Sequence, residues 1–420
     1  MPALTAGSTI SSASMRIWNT DGSSTGRAIS LYKNLGGWDN DNLTWNNKPN
    51  SYETESRPFN KEYITFSGSH FLSGIRMMYS GEANNGFMLR YTDESKSNPD
   101  YNAFYTSNCA FSKRAERPLL TLSYQAPANI ANGVYYIRNR KSSLYMDAEQ
   151  DLSHNGNVIQ YTFHGGSNQQ WKVEKQSDGY YKLTNLYPQH NGKVLDVASG
   201  VVTNDQNIQI YASNNTPAQR WAFFSNGDGS YRLMPKAGNQ AMCISVSSGS
   251  MSSTANVNLY DYVAAPEQGW FLEKATVVGA ASSYRQENSN NVNCLGYVLE
   301  LNYTPDLSIY PTDNLQSFSE KTQALIRELN RGCRVLTSKD DLIHPTREYK
   351  IAMRIRDNFF DEDYHFMVQL NTGKWAQKHG GKASDPNELV SDPTNTNWGT
   401  SIFDLSNYYH SDTVYYAVTR

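Results

Sequence analysis

A thiol is the one side chain here whose surroundings could support covalent chemistry. The four cysteines are Cys109, Cys243, Cys294 and Cys333, and none belongs to a C-x-x-C pair. A zinc site is therefore not expected, and the scatter of the four argues against a disulfide framework. Cys294 follows Asn293 and opens the run NCLGYVLEL. A helix N-terminus lowers the pKa of a thiol placed there, and an imidazole can take or hold its proton. His365, near the head of the alternating run DYHFMVQL, comes after it in the chain. A third polar group must then orient that ring. If Asn371-Thr372-Gly373 forms a three-residue turn, residue 365 pairs with 379, which sets His379 opposite His365 and Gln377 diagonal to it. A turn one residue longer or shorter would move this pairing, so Gln377, Asn371 and Asp392 remain open as the third member. Cys333 follows a helix stop with no base nearby, and His344 before Pro345 and His410 in a Tyr-rich tail read as surface residues.

These groups require a helix and a sheet to hold them. Apolar residues at 295, 298 and 299 predict a short amphipathic helix. Residues 317–332 predict a second, with Ser317 and Glu320 as a capping box, Leu325, Ile326 and Leu329 as the stripe, and Gly332 as the stop. From residue 346 onward the runs EYKIAMRIRD, DYHFMVQL, KWAQK and TVYYAVT predict strands. A cysteine opening a helix, followed by a strand-borne histidine, resembles the papain-like superfamily, with NlpC-type amidases and CHAP-type peptidases the closer comparisons. The motifs that carry this resemblance are NCLGYVLEL and DYHFMVQLNTGKWAQKHGG. It implies an α+β papain-like domain within 276–420, from about 286 onward, that cuts an amide of protein or peptidoglycan. Cys294 would be the nucleophile, His365 the base and His379 the orienting group. The stretch ATVVGAASSYRQENSNN before it reads as a polar linker.

The middle of the chain repeats. Three Q-x-W triplets, Gln169-Gln170-Trp171, Gln219-Arg220-Trp221 and Gln268-Gly269-Trp270, have glutamines 50 and 49 residues apart. Each follows an apolar cluster holding Asp or Ser and then an alternating strand: NVIQY, NIQIY and NVNLY. A unit of this size cannot bury its own apolar face, so three must close on one another. Residues 126–275 resemble the ricin-B-like β-trefoil lectins. In that fold the tryptophans pack the core and the glutamines tie down turns. Sugar binding requires a carboxylate and amides for vicinal hydroxyls, with an aromatic ring over the apolar face of the pyranose. The family pattern places Gln or Asn thirteen residues after the Asp and an aromatic fifteen after. The second repeat fulfils it with Asp196, Gln209 and Tyr211, and Gln219 behind them. The first offers Asp147, Gln160, Asn168 and Gln169, but Thr162 stands at the aromatic position, leaving Phe163 or Tyr161 as substitutes. The third has Ser245 for the Asp, with Asn258 and Tyr260, and so lacks the stronger, charge-assisted hydrogen bonds.

Residues 1–125 alternate in runs such as EYITFSG, GIRMMYS, GFMLRY and PLLTLSY, which predict strands. The segments WDNDNLTWNNKP and GEANNGFMLRYTDESKSNPDYNAFYTSNCAF resemble the back half of the DNRLRE, disaggregatase-related β-sandwich modules of secreted bacterial polysaccharide-active proteins. The resemblance implies an incomplete β-sandwich, either sugar-binding or a spacer.

Composition sets the outer limits. A chain of 420 residues calls for several domains. Only 18% of residues are charged while Tyr alone numbers 29, a polar mix that suits all-β secreted proteins. A net charge of -3 and a pI near 6.3 give no electrostatic reason for nucleic acid or an anionic membrane as partner. No apolar run reaches the roughly 18 residues of a membrane span. The start, MPALTAGSTISSASM, lacks a signal peptide's basic and apolar regions, so the natural start is expected upstream. The expectation is an extracellular multi-domain chain: β-sandwich, then β-trefoil, then α+β papain-like domain. It would bind glycans, cut an amide and require no metal or organic cofactor. The rival is a lectin or agglutinin whose C-terminal domain is structural. A glycoside hydrolase would require paired carboxylates in a cleft, whereas Asp361, Glu362 and Asp363 read as a solvated loop.

Overall fold

The computed structural model describes residues 3–5, 7–20, 27–38, 44–58, 62–79, 82–95, 103–150, 156–238, 241–358, 361–380, 382–398 and 409–420. Residues 39–43 and 96–102, inside the two N-terminal motifs, lie outside the described residues.

The N-terminal region holds two three-stranded antiparallel sheets. Thr9–Trp18 runs between Tyr63–Phe66 and Leu119–Gln125, and Ala28–Asn34 runs between Ser51–Pro58 and Phe87–Tyr91. Both sheets supply one core: Ile10, Ile17 and Phe66 from the first, Ile29 and Leu31 from the second. The run GIRMMYS is not a strand. Its residues Gly74–Tyr79 lie in the helix Ser69–Tyr79, whose buried Phe71, Gly74, Ile75 and Met78 recur at helical spacing. The apolar spacing of Phe71, Ile75 and Met78 outweighs the short alternation within GIRMMYS.

Twelve strands form the middle region, four per repeat. The first strands, Gly133–Asn139, Tyr181–Asn185 and Tyr231–Pro235, pair with the fourth strands of their own repeats through Tyr135–Trp171, Tyr181–Trp221 and Tyr231–Trp270. They also pair with the fourth strand of a neighbouring repeat, Trp270–Lys274 returning to Gly133–Asn139. Six strands thus close into a barrel with no free edge. Three hairpins cap it, and one side-chain amide from each, Asn157, Asn207 and Asn256, joins a chain of bonds at 3.0 and 2.9 Å. Trp171, Trp221 and Trp270 are fully buried in a single core.

In the C-terminal region five antiparallel strands run in the order Cys333–Leu336, Val414–Thr419, Glu348–Asn358, Asp361–Gln369, Trp375–Gln377. Helices Cys294–Val298 and Leu315–Glu328 cover one face, where Leu295, Val298, Phe318 and Ile326 meet Ile351, Met353, Phe366 and Tyr416. Ala352, Met367, Trp398 and Tyr415 form a second core on the other face. The longer helix starts earlier than the sequence predicts: Asn314, not Ser317, is its cap, and Ser317 completes the box. Asp361, Glu362 and Asp363 begin a strand and are not a loop. Nor is the stretch after Leu272 a free linker. Thr276 bridges Ile343, Ala280 N donates to Glu348 O at 2.6 Å, and Ala281 and Tyr284 pack on the helix-side core.

His344 is fully buried, not at the surface. Its Nε2 lies 2.7 Å from Glu273 Oε2 and 3.2 Å from Tyr145 Oη, both on the trefoil side. Burial alone would raise the Glu273 pKa, but bonds from His344, Arg138 and Tyr145 hold it down to about 2.

The buried tryptophans give a direct test of the core. Trp221→Ala should destabilise the protein by about 3–5 kcal/mol, read as a lower denaturant midpoint for the trefoil transition. A loss below about 1 kcal/mol would mean that the repeat does not close on this ring.

Candidate functional site

Each trefoil repeat holds its site by the same two ties. The Q-x-W tryptophan donates its indole N–H to the carbonyl just before the Asp or Ser position: Trp171 to Met146, Trp221 to Leu195 and Trp270 to Ile244, at 3.1, 3.1 and 3.2 Å. The Q-x-W glutamine clamps the turn on the other side. Gln169, Gln219 and Gln268 donate to Thr162 O, Ala212 O and Asp261 O at 2.9, 2.9 and 2.7 Å. They accept from the amides of His164, Asn214 and Val263 at 3.0, 2.8 and 3.0 Å. Strand and turn are the two walls of each site.

In the second repeat Asp196 pairs across the hairpin with Gln209, and Gln209 Nε2 donates to Asp196 Oδ2 at 3.0 Å. Tyr211, two residues on and so on the same face, is 51% exposed beside them. They line an open cavity of about 840 Å³ with Lys193, Asn214 and Thr216. Burial raises the Asp196 pKa, and hydrogen bonds from Gln209 and Gln219 offset this only in part.

The first repeat differs by one residue. Asp147 pairs with Ile159, which puts Gln160 opposite Met146 and on the other face. Gln160 therefore does not face the cavity beside Asp147. Fully buried, it accepts from Ser142 Oγ at 2.7 Å and donates to Ser250 O and Ser252 O. The same shift makes Tyr161 the counterpart of Tyr211, lining a cavity of about 660 Å³ with Asp147, His164 and Asn168. Asn168 Nδ2 donates to Asp147 Oδ1 at 2.7 Å, and His164 Nε2 lies 3.1 Å from Oδ2. His164 was missed in the sequence. The signal lay five residues before the Q-x-W glutamine, where Asn214 stands in the second repeat. In the third repeat Ser245 faces Asn258, whose Nδ2 donates to Asp205 at 2.9 Å, so no carboxylate stands at the Asp position.

Two family models match the chain. One, the ricin-type beta-trefoil lectin domain, matches residues 133–270, the span of the closed barrel and its three ties. Residues 133–270 are a ricin-type β-trefoil lectin domain. The other, carbohydrate-binding module family 96, matches residues 1–71. No curated protein matches the chain. Among solved structures, the designed threefold-symmetric protein ThreeFoil is 36% identical, covering 33% of this chain and 97% of its own, at a TM-score of 0.31. The Macrolepiota procera ricin B-like lectin, solved with lactose, is 18% identical over 35% of this chain and 99% of its own, at 0.30. The Rhizoctonia solani agglutinin is also 18% identical, over 36% and 99%, at 0.30.

Beyond the lectin domain, the thiol and imidazole expected to act together are kept apart. Cys294 does open a helix capped by Asn293, but its Sγ is turned to the helix-side core, 3.8 Å from Tyr364 O. Side chains alternate along a strand: Tyr364 and Phe366 face that core, and His365 faces the other. There His365 Nε2 lies 3.0 Å from Gln377 Oε1. Its ring stacks on His379 at 4.5 Å and 3° and lies 5.2 Å from Tyr409. The hairpin register is the expected one, Met367 opposite Gln377, so His379 and Gln377 do meet His365. Cys294 does not. Asn371 stays in the turn, its amide on Ser282 O, and Asp392 caps the Thr394 amide. Burial pushes the Cys294 thiol up to about 12. Burial and the neighbouring His379 push His365 down to about 3. Both shifts oppose a thiolate–imidazolium pair at neutral pH.

In the folded protein, iodoacetamide should therefore modify Cys109 first and leave Cys294 unmodified until the protein unfolds, since the thiolate is the attacking form. Mass spectrometry of labelled peptides reads the order. Prompt labelling of Cys294 would reopen the case for a nucleophile.

Proposed function

We propose that this chain is an extracellular glycan-binding protein whose principal site is the second repeat of the lectin domain, with the first repeat as a second and chemically distinct site. The observation that carries this reading is the Asp196–Gln209 bond at 3.0 Å beside the exposed ring of Tyr211. A carboxylate and an amide fixed to each other offer a preset acceptor and donor to adjacent hydroxyls, and the ring covers the apolar face of a sugar. Two sites on one chain let a branched or clustered glycan engage both, which raises avidity without new contacts. The family 96 match at residues 1–71 supports a further carbohydrate contact by the N-terminal module. The C-terminal domain enters this reading as a structural partner, because the strand turns His365 to the sheet face opposite the buried Cys294 thiol.

A glycan array on the full chain tests the reading, with lactose as a soluble probe. Asp196→Ala should lower affinity for the best array ligand by about tenfold or more, with an unchanged melting temperature or a higher one. Affinity equal to wild type would remove the second repeat as the principal site.

The raised Asp196 pKa sets two further signs. Binding requires the carboxylate, so affinity should fall on acidification at a higher pH than an ordinary Asp would impose. The folded state also holds this proton more tightly than the unfolded state. Stability is therefore lost as pH rises through the window between the two pKa values, and the cost persists at neutral pH. Asp196→Asn should abolish binding yet melt higher at pH 7. A lower melting temperature for this variant would contradict the assignment of Asp196 as a strained binding group.

A further inference from the structure

The turn 162–166 has two sides. One carries His164, held 3.1 Å from Asp147 in the first-repeat cavity. The other side is covered by the C-terminal domain. The Phe163 ring stands 4.8 Å from that of His344, edge to face, and the Arg347 guanidinium lies 5.5 Å from the same ring. Gly165 is buried at φ +71, and a Cβ there would collide with the Glu348 carboxylate. Glu348, 1% exposed, is held bidentately by Arg334 at 2.9 and 3.1 Å. The opposite wall is touched as well: Tyr145, two residues before Asp147 on the same strand, meets His344 at 3.2 Å. The equivalent turn of the second repeat, residues 212–216, is exposed at every position. Of these two turns, the first-repeat one is thus clamped from outside the lectin domain.

We propose that the C-terminal domain is the positioning partner of the first-repeat site. His344, Arg347 and the Arg334–Glu348 pair fix the 162–166 turn so that His164 stays on Asp147, and glycan binding at the first repeat depends on that contact while binding at the second does not. The inference rests on the reading that both repeats take glycans. It gives the C-terminal domain a task that requires no chemistry. It also accounts for a departure in the first repeat: Ile159, opposite Asp147, has no amide to hold the carboxylate, and Asn168 together with His164 from the turn holds it instead. A turn free to move would carry His164 away and leave Asp147 with Asn168 alone.

The test uses the full chain in two backgrounds, Asp196→Asn to silence the second site and Asp147→Asn to silence the first. Arg347 is exposed, and Arg347→Glu removes its charge from the Phe163 ring without emptying a core. Lactose affinity should fall about tenfold in the first background and less than twofold in the second. Hydrogen exchange of residues 162–166 in the unliganded protein should quicken, while that of 212–216 stays the same. Equal losses in both backgrounds, or no loss at the first site with exchange unchanged, would overturn the clamp. Should Arg347→Glu fail to fold, Arg347→Ala carries the same comparison with a smaller change. If lactose binds neither site in the wild-type chain, the best array ligand takes its place, and a chain that binds no array glycan overturns the glycan-binding reading. The exchange rates then still decide the clamp: faster exchange at 162–166 supports it, and no change refutes it.

Discussion

A buried indole N–H must find an acceptor, and in this protein it finds one three times at the same place. Trp171, Trp221 and Trp270 fill the trefoil core and donate to the carbonyls of Met146, Leu195 and Ile244. Each of those residues precedes the position that carries Asp147, Asp196 or Ser245. The bond that satisfies the core therefore also sets the strand that carries this position. The glutamine two residues before each Trp uses both ends of its amide on the opposing turn. Core closure and site geometry are one constraint, which is why a repeat can lose its carboxylate, as the third has, and keep its fold.

With the scaffold fixed threefold, differences between the sites come from small local changes. A single residue fewer between Asp147 and its cross-strand partner turns Gln160 inward and puts Ile159 where Gln209 stands in the second repeat. His164 then does what the amide of Gln209 does. The two sites consequently present different donors around similar carboxylates, one backed by an exposed turn and the other by a neighbouring domain. Burial of Asp196 with its hydrogen-bonding amides disfavours its charged form, a local cost of the kind met at functional sites.

The C-terminal sheet shows the same period-two rule separating groups instead of joining them. Tyr364, His365 and Phe366 are consecutive, yet the first and third join the core that holds Cys294, while the second stacks on His379 beneath Tyr409. Helix start and cysteine coincide, as the N-cap Asn293 requires, but the thiol is buried as a small apolar side chain. Buried His344 meets the partly exposed Arg138–Glu273 ion pair of the trefoil, so the two regions share a polar seam.

The sequence by itself determined whatever depends on periodicity and local chemistry. The Q-x-W spacing specified a threefold trefoil, the Asp196–Gln209–Tyr211 spacing put three candidate ligands on one hairpin, and a three-residue turn at Thr372, one of the lengths left open, set His379 against His365. Such features are fixed by spacings along the chain, and their side-chain faces follow from the strand period. The tertiary structure decided what depends on register and on distant neighbours. The one-residue shift at Ile159 is invisible without the hairpin partner. The helix at Ser69–Tyr79 requires the core that Phe71 and Ile75 enter. The burial of His344 requires Glu273, 71 positions away. The separation of Cys294 from His365 follows from which sheet face the helices cover, and no local run of residues encodes that choice.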